Sequence, residues 1–551
     1  MKKYLTLALL ILILSILTGT AFSESFRDKL LSLPDVVSVD EIIQIKSGDK
    51  TPFAEKYLVI FEQPLDWNGA TSETFTQRIE IGFNGYDNVN VMQVHGYELN
   101  DEYFTTDDRH ELVEKFDGNF INVEYRFFKK SAPKNLSRES TALWEYLNDE
   151  NASNDFHNII RELKEILSGS WIFTGTSKGG QATNVFAYYF PNDVNAYVAY
   201  IAPFCDGTND KRMYEAIYNT IGNERYGETK AKEYRDLMLD FQVEAIKNRD
   251  YLQPVVWNLI SEDERILKNN SGLTSSDVYE NYLTDYNVGV WQYDQDFASI
   301  EKLMKLPRTD DPSTDVKENE EFLEGISDLF QKDLEDYNVD LLFPYLYQAA
   351  TENGNYGLSI KYLREAVEKA GLSLNLTDEK AINFTFKTEF TQEQLKAFTF
   401  NPEMRNKMLE WTKTNTSNVI MIYGDSDPWY FVRLPETDNK NIHVFVSSKA
   451  AHGVKIDDMT DSDKNEIMSL LNSWLKKDIS SSGGGCNFGF SVLGLLVMLF
   501  NLSVSSRHLP VNLTSLSSDD DISPYSGETV RVRNILPLRL RGGGSRSETE
   551  G

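Results

Sequence analysis

Cysteine and basic side chains are scarce in this sequence of 551 residues. Only Cys205 and Cys486 are present, so a buried apolar core rather than a disulfide framework must hold the fold together. The 55 Lys and Arg residues face 85 Asp and Glu residues, which gives a formal net charge of −30. Such a surface repels phosphate backbones and excludes nucleic acid as a partner. The chain also lacks any group of side chains with the spacing of metal ligands, so we expect neither a metal nor a cofactor.

Long apolar runs are also missing, and the two shorter ones lie near the chain ends. Two lysines, an apolar run at residues 5–17 and then small residues predict a signal peptide at residues 1–23. The run is shorter than the roughly 20 residues that cross a bilayer, which disfavours the alternative of an uncleaved anchor. We therefore expect an exported protein, located in the periplasm, at the cell surface or outside the cell.

The second run belongs to a Ser/Gly linker, Cys486 and an apolar stretch, which together make up residues 480–507. This segment resembles the cysteine-containing C-terminal sorting signals of some bacteria, and its apolar part is at the short limit for a membrane span. The resemblance implies membrane association and makes Cys486 a possible attachment point, the alternative being an unmodified linker thiol. Residues 508–551 are expected to form a polar, disordered tail.

What the sequence does have is an alternation of strand and helix patterns with one long interruption. Residues 206–410 have long helical patterns with few strand signals and predict a helical cap, inserted between core halves at residues 24–205 and 411–479. Strands alternating with helices predict a parallel sheet, and we expect an α/β fold in which the cap interrupts the core. Strands are predicted at residues 56–65, 74–83, 88–99, 119–128, 194–203, 418–424 and 441–448.

The pentapeptide GTSKG places Ser177 between an apolar strand pattern and a helix pattern. Glycines on both sides permit the strained turn that exposes a serine hydroxyl at the end of a strand, which is the context of a nucleophile elbow. Ser177 is therefore the candidate nucleophile, although the same pentapeptide also occurs in plain turns.

A serine nucleophile needs a base and a group that orients it, and in α/β hydrolases both follow the serine along the chain. His452 lies in a loop directly after a predicted strand, whereas His443 lies inside that strand, so we select His452. The loop after the preceding strand contains Asp425 and Asp427. We select Asp427, which lies far enough along the turn to point back over the strand end, and keep Asp425 as the alternative.

Donors for an oxyanion are expected from two backbone positions. One is the N–H of Lys178, the residue after the nucleophile, and the other comes from Gly96 or Tyr97 in the loop after the strand that contains VMQV. An ordinary turn glycine is the alternative interpretation of Gly96.

Several segments together make the chain similar to a known family: GYEL, VEYRFF, WIFTGTSKGGQAT, YFPNDVNAYVAYIAP, YGDSDPW and a following HG. They resemble the secreted bacterial serine tripeptidyl aminopeptidases and their prolyl-aminopeptidase relatives, which are α/β hydrolases. The resemblance covers residues 56–479 and is weakest in the cap. It implies the α/β-hydrolase fold, a triad of Ser177, Asp427 and His452, and the release of short peptides or proline-type residues from peptide substrates with free N-termini.

Such an activity requires a carboxylate for the substrate's α-ammonium, because a buried unpaired charge is costly. Glu124, within VEYRFF, is the hypothesis for this role, and an internal ion pair with Arg126 or another cation is the alternative. Two other functions stay open at this point. One is a carboxylic-ester hydrolase, and the other is a catalytically silent surface protein that binds peptides.

Overall fold

The computed structural model describes residues 24–44, 52–101, 109–260, 272–293, 297–306, 319–335 and 342–476. The predicted signal peptide, Cys486 and the apolar C-terminal segment lie outside these residues. Within them, no helix is both long enough and apolar enough to cross a membrane.

The described strands form a single nine-stranded sheet in the order β1-β2-β3-β5-β4-β6-β7-β8-β9. Neighbours among β1, β2 and β3 are antiparallel, as are β3 and β5, and every pair from β5 to β9 is parallel. This mostly parallel sheet, with helices between its strands, confirms the α/β-hydrolase fold. The strands are β1 Val36–Glu41, β2 Glu55–Pro64, β3 Thr74–Phe83, β4 Asn90–Val94, β5 Asn119–Val123, β6 Trp171–Thr176, β7 Ala196–Tyr200, β8 Val419–Gly424 and β9 Ile442–Ser447.

Central parallel strands are covered on both faces, and their sequences are accordingly continuous apolar runs. Every residue of AYVAY in β7 and of VIMIYG in β8 is buried. These two strands are neighbours in the sheet although more than 200 residues separate them along the chain. The chain therefore leaves the sheet after β7 and returns to the adjacent position at β8.

The helices divide into those that flank the strands of the sheet and those in the segment between β7 and β8. The first set is α1 Phe26–Leu31, α2 Glu111–Phe116, α3 Asp149–Leu163 and α4 Lys178–Tyr189. The second set is α5 Arg212–Asn219, α6 Asn223–Tyr226, α7 Glu228–Lys247, α8 Arg249–Ile260, α9 Ser275–Tyr293, α10 Phe297–Met304, α11 Glu320–Glu335, α12 Phe343–Gln348, α13 Lys361–Lys369, α14 Asp378–Ala381, α15 Phe384–Glu389, α16 Gln392–Ala397 and α17 Glu403–Thr414. The last helix, α18 Asp461–Leu475, follows β9.

The segment between β7 and β8 contributes no strand to the sheet among its described residues, which confirms a mostly helical cap inserted between the two halves of the core. Helix α12 continues into a π-helical turn, Ala349–Asn353. Helix α17 continues past the predicted cap boundary at residue 410. Apolar residues from the sheet and the cap belong to one continuous core.

Two sequence-based expectations differ from the structure. The stretch before residue 56, in which the sequence predicts no strand, contains α1 and β1, and Ser25 caps the helix by accepting a hydrogen bond from the Asp28 N–H at 3.1 Å. The strand predicted at residues 119–128 ends at Val123, because the chain then turns and Phe127 adopts a positive φ of 69°. Glu124 is consequently the first residue after β5 and not part of a longer strand.

Candidate active site

Ser177 occupies the sharp turn between β6 and α4. Its backbone has φ 58° and ψ −121°, a conformation that costs energy for a residue with a side chain. Hydrogen bonds hold it there, because the Ser177 N–H donates to the Tyr200 carbonyl at 2.9 Å and the Ser177 carbonyl accepts from the Gln181 N–H at 2.9 Å. The serine therefore lies at the carboxyl end of a buried parallel strand, in a turn of the nucleophile-elbow type.

Glycines make this turn possible because no Cβ fits at several positions. A Cβ on Gly175, Gly179 or Gly180 would collide with a neighbouring backbone carbonyl. Gly96 has a φ of 86°, and a Cβ there would lie 2.6 Å from the Gly179 nitrogen. The loop after β4 thus lies directly against the first turn of α4, which brings Gly96 beside the backbone of Lys178 and Gly179.

The predicted acid and base are hydrogen-bonded to each other. His452 Nδ1 lies 2.8 Å from Asp427 Oδ2, and the two residues are 2% and 0% exposed, respectively. The other carboxylate oxygen of Asp427 accepts the Trp429 N–H at 3.2 Å, which caps the short helix Pro428–Val432. This arrangement fixes the orientation of the imidazole ring and favours a proton on Nδ1, leaving Nε2 as the basic nitrogen.

The two alternative residues occupy other environments. Asp425 accepts a hydrogen bond from the Ser426 hydroxyl at 2.9 Å, and burial raises the pKa of its carboxyl group. His443 lies on β9, where its ring packs against Trp474 at 5.8 Å between ring centres. The hydrogen bond of the imidazole ring therefore joins His452 to Asp427 rather than to Asp425.

The cap supplies contacts to His452 that the sequence did not indicate. The backbone N–H of His452 donates to the Gln292 carbonyl at 3.0 Å. The Tyr293 ring lies 5.8 Å from the imidazole ring, between ring centres, and is nearly perpendicular to it. Both residues end α9, more than 150 positions before His452 in the chain. No local pattern marks such a contact, since it arises only when the cap packs over the sheet.

The Tyr97 side chain contacts both Ser177 and the cap. Its hydroxyl group forms a hydrogen bond with the Ser177 side chain, and its ring lies 5.9 Å from that of Tyr345 in the cap. Burial raises the pKa of Tyr97 well above its ordinary value, so the phenol keeps its proton. We predicted a role for the backbone of Tyr97 but not for its side chain.

Two adjoining cavities lie near the turn at Ser177, and Ser177 lines one of them. The first, here called the elbow cavity, is lined by Tyr97, Ser177, Lys178, Tyr345 and Trp429. The second, here called the acid cavity, is lined by Asp149, Asn184, Glu352 and Arg405. Residues Gln181, Pro203, Cys205 and Asn353 line both, so the two cavities share a wall built from the core and the cap.

The Glu124 carboxylate is fully enclosed by internal partners. It is 0% exposed and pairs with Arg78 through Nη2 at 2.6 Å and Nε at 3.2 Å. It also accepts hydrogen bonds from the Leu99 N–H at 2.9 Å and the Ser131 hydroxyl at 2.6 Å. Arg126, the cation considered first, pairs instead with Asp155 at 2.8 Å. This geometry favours the internal ion pair over binding of a substrate amine.

Among the described residues, no group of three or more His, Cys, Asp or Glu side chains is arranged to hold a metal ion. Cys205 is buried and unpaired within the same residues.

The chain is similar in sequence to a known peptidase and resembles several solved structures. Prolyl tri/tetrapeptidyl aminopeptidase from Streptomyces mobaraensis is 26% identical over 422 residues, which cover 74% of this chain and 76% of that protein. Among solved structures, proline iminopeptidase from Mycobacterium smegmatis has a TM-score of 0.30 and 10% identity, and covers 80% of this chain with 100% of its own. Esterase E22 has a TM-score of 0.36 and 10% identity, and covers 76% of this chain with 100% of its own.

The strand order and the turn at Ser177 identify the fold, and sequence similarity identifies the family. The family model described as PS-10 peptidase S37 matches residues 22–478, a range that runs from before α1 to beyond α18 and includes every candidate site residue in the described structure. The chain therefore belongs to the PS-10 peptidase S37 family.

Proposed function

We propose that this serine aminopeptidase releases tri- or tetrapeptides from the free N-termini of peptide substrates, with Ser177, His452 and Asp427 as its catalytic triad. The observation that carries the proposal is the buried hydrogen bond of 2.8 Å between His452 and Asp427. Membership of the peptidase family and the named activity of the Streptomyces mobaraensis relative support the same conclusion.

In the proposed reaction, the Ser177 hydroxyl oxygen attacks the carbonyl carbon of the scissile peptide bond while its proton passes to His452 Nε2. Asp427 stabilises the imidazolium ion that forms. The tetrahedral intermediate then collapses, the C–N bond breaks, and the leaving amine takes the proton from His452. Water hydrolyses the acyl-enzyme by the reverse sequence of proton transfers, which releases the short peptide and restores Ser177.

The negative charge on the tetrahedral intermediate needs donors that are already in place. The Lys178 N–H is the first of α4 and has no partner inside the helix, and the backbone of Gly96 and Tyr97 approaches it from the loop after β4. We add the Tyr97 hydroxyl group as a donor, because it already forms a hydrogen bond with Ser177 and keeps its proton. Three positions thus surround the expected oxyanion.

The activity can be tested on a mixed peptide library whose products are identified by mass spectrometry, with Ser177→Ala as the control. We expect the wild-type protein to release short N-terminal peptides and to react with a fluorophosphonate probe, and we expect the variant to do neither. Hydrolysis of acyl esters without cleavage of peptides would favour the ester hydrolase. No probe labelling and no hydrolysis would favour the silent binding protein.

We further propose export, on the support of the N-terminal sequence of lysines, apolar residues and small residues. Membrane association through the C-terminal segment is a separate proposal, which concerns residues outside those that the structure describes. Cell fractionation with mass spectrometry of the mature chain tests both, and Cys486→Ser is the variant that tests attachment. A chain that keeps residues 1–23 and stays in the cytoplasm would contradict export.

A further inference from the structure

The acid cavity contains two carboxylates from opposite sides of its wall. Asp149 is the first residue of α3 in the core, and Glu352 belongs to the π-helical turn that ends α12 in the cap. They are in direct contact, because Glu352 Oε2 accepts the Asp149 N–H at 2.9 Å. Turns of this π type are rare and are found frequently at functional sites. The core and the cap therefore each place one acidic group in a cavity that adjoins the nucleophile.

One oxygen atom of this pair has no partner. Asp149 is 4% exposed, and its Oδ1 accepts hydrogen bonds from Gln348 Nε2 at 3.3 Å and Asn353 Nδ2 at 3.5 Å. Its Oδ2 is buried and accepts no hydrogen bond. A buried acceptor without a donor is costly, so a site of this kind is completed by a ligand that donates. An ammonium group, with three N–H donors and a positive charge, fits this requirement.

Among the residues that the structure describes, the two acidic side chains outnumber the one nearby cation that does not already pair with another acid. The Lys178 ammonium is buried, lies 3.2 Å from the centre of the Tyr125 ring and forms no hydrogen bond, and burial lowers the pKa of Lys178 to about 7. Lys178 lines the elbow cavity, whereas Arg405 lines the acid cavity and pairs with Asp206 at 2.8 Å, outside the acidic pair. When both acids are ionised, two carboxylates and one lysine leave one negative charge.

The two acids resist ionisation while no further cation is bound. Burial raises the pKa of Asp149 to about 6 and raises the pKa of Glu352 well above its ordinary value, and the Asp149 charge raises the pKa of Glu352 further. A bound cation would relieve both effects, because it stabilises the ionised forms.

We propose that Asp149 and Glu352 bind the α-ammonium group of the peptide substrate and thereby fix how many residues separate it from the bond that Ser177 attacks. The inference rests on the proposed function and gives to this pair the role first considered for Glu124. The shared wall of Gln181, Pro203, Cys205 and Asn353 places the pair next to the elbow cavity, and the proposal requires one short peptide to span both. Longer N-terminal extensions would place the ammonium group beyond the acidic pair.

The test compares Ala-Ala-Pro p-nitroanilide with its N-acetylated form on wild-type protein, Glu352→Gln and Asp149→Asn. Glutamine at position 352 keeps an amide oxygen that can accept the Asp149 N–H, so this variant removes charge with little change in shape. Glu145→Gln, an exposed residue outside both cavities, is the matched control for loss of one negative charge. Thermal unfolding of each variant checks that the fold is retained.

We expect wild-type protein and Glu145→Gln to prefer the free amine strongly. In Glu352→Gln and Asp149→Asn, we expect kcat/KM for the free amine to fall by about 30-fold or more, mainly through KM, because a buried charged ligand loses its partner. The rate on the acetylated substrate should change by less than about threefold, since that substrate offers no charge to the pair.

Three results would overturn the inference or its basis. If Glu352→Gln and Asp149→Asn retain the preference for the free amine, the pair does not bind it, although the proposed function stands. Equal losses on both substrates would assign the pair a purely structural role. If wild-type protein cleaves neither substrate nor any peptide of the mixed library, the proposed function fails first, and the inference fails with it.

Discussion

Replacing Asp427 with asparagine removes one charge and reverses one hydrogen bond. In the structure, one carboxylate oxygen faces His452 Nδ1 at 2.8 Å and the other accepts the Trp429 N–H at 3.2 Å, so both oxygens face donors. An asparagine has only one oxygen. If it faces Trp429, the amide NH₂ donates to His452 Nδ1 and moves the imidazole proton to Nε2, where the base must accept a proton. If it faces His452, two donors meet at Trp429 and the imidazolium loses its counter-charge.

Either orientation should lower kcat by about 10⁴-fold, the loss known for the equivalent change in serine proteases. This corresponds to about 5.4 kcal/mol in the activation free energy, at about 1.36 kcal/mol for each tenfold change. The assays are hydrolysis of a free-amine peptide p-nitroanilide and the rate at which a fluorophosphonate labels Ser177, with thermal unfolding as the check on folding.

Asp425→Asn is the matched control, because it makes the same chemical change two residues earlier, where the carboxylate contacts the Ser426 hydroxyl. We expect this variant to lose less than about threefold in kcat, as a residue that does not contact the reacting groups should. If Asp427→Asn retains a tenth of the wild-type rate, or if Asp425→Asn is the more damaging change, the assignment of the orienting acid is wrong.

Four further predictions follow from other contacts. Tyr97→Phe should lower kcat by about a hundredfold without changing the unfolding temperature, because it removes one oxyanion donor and leaves the ring in place. Gly96→Ala should abolish measurable hydrolysis, since the new Cβ would lie 2.6 Å from a backbone nitrogen. The control is Gly69→Ala, because Gly69 also has a positive φ, of 80°, but has open space around it. This variant should retain activity and lose about 1 kcal/mol of stability. Glu124→Gln should lower the free energy of unfolding in urea by about 3–5 kcal/mol, because it breaks a buried ion pair. It should affect the hydrolysis of free-amine and N-blocked substrates equally. A selective rise in KM for free-amine substrates would instead support a role of Glu124 in amine binding. Burial lowers the pKa of His110 to about 3, whereas its value in the unfolded chain is about 6.5. The folded protein therefore loses stability as the pH falls below about 6.5, by up to about 1.4 kcal/mol per pH unit. Between pH 7.5 and 5.5 in urea unfolding, His110→Asn, which keeps a side-chain cap for α2, should lose less stability than wild-type protein.

Local patterns in the sequence predicted the sheet well where the strands are buried on both faces. The strand predicted at residues 74–83 coincides with β3, and the apolar run of β8 is one residue shorter than predicted. The candidate triad residues could be selected because each follows a strand end, and that position depends only on chain order and turn chemistry. Residues 124–128 were mistaken for strand because their aromatic side chains are buried by contacts with distant segments, which resembles strand burial in the sequence.

The cap could not be predicted at the same level. Its helical character is visible in the periodicity of apolar residues, but which of its residues face the site depends on how α9 and α12 pack over the sheet. Tyr293, Tyr345 and Glu352 have no distinctive local sequence, and Asp149 looks like an ordinary acidic residue in the first turn of a helix. The partner of Glu124 was likewise hidden, because Arg78 lies on a neighbouring strand 46 positions earlier.

The bond between the His452 N–H and the Gln292 carbonyl has a consequence for how a substrate enters. A movement that lifts the end of α9 away from the sheet would break this bond and release the backbone of His452, the residue proposed to carry the proton. We expect a form in which this bond is broken to be inactive, because His452 then lacks the cap carbonyl that holds its backbone. Substrate entry on this side of the cap and proton transfer by His452 would therefore occur at different times.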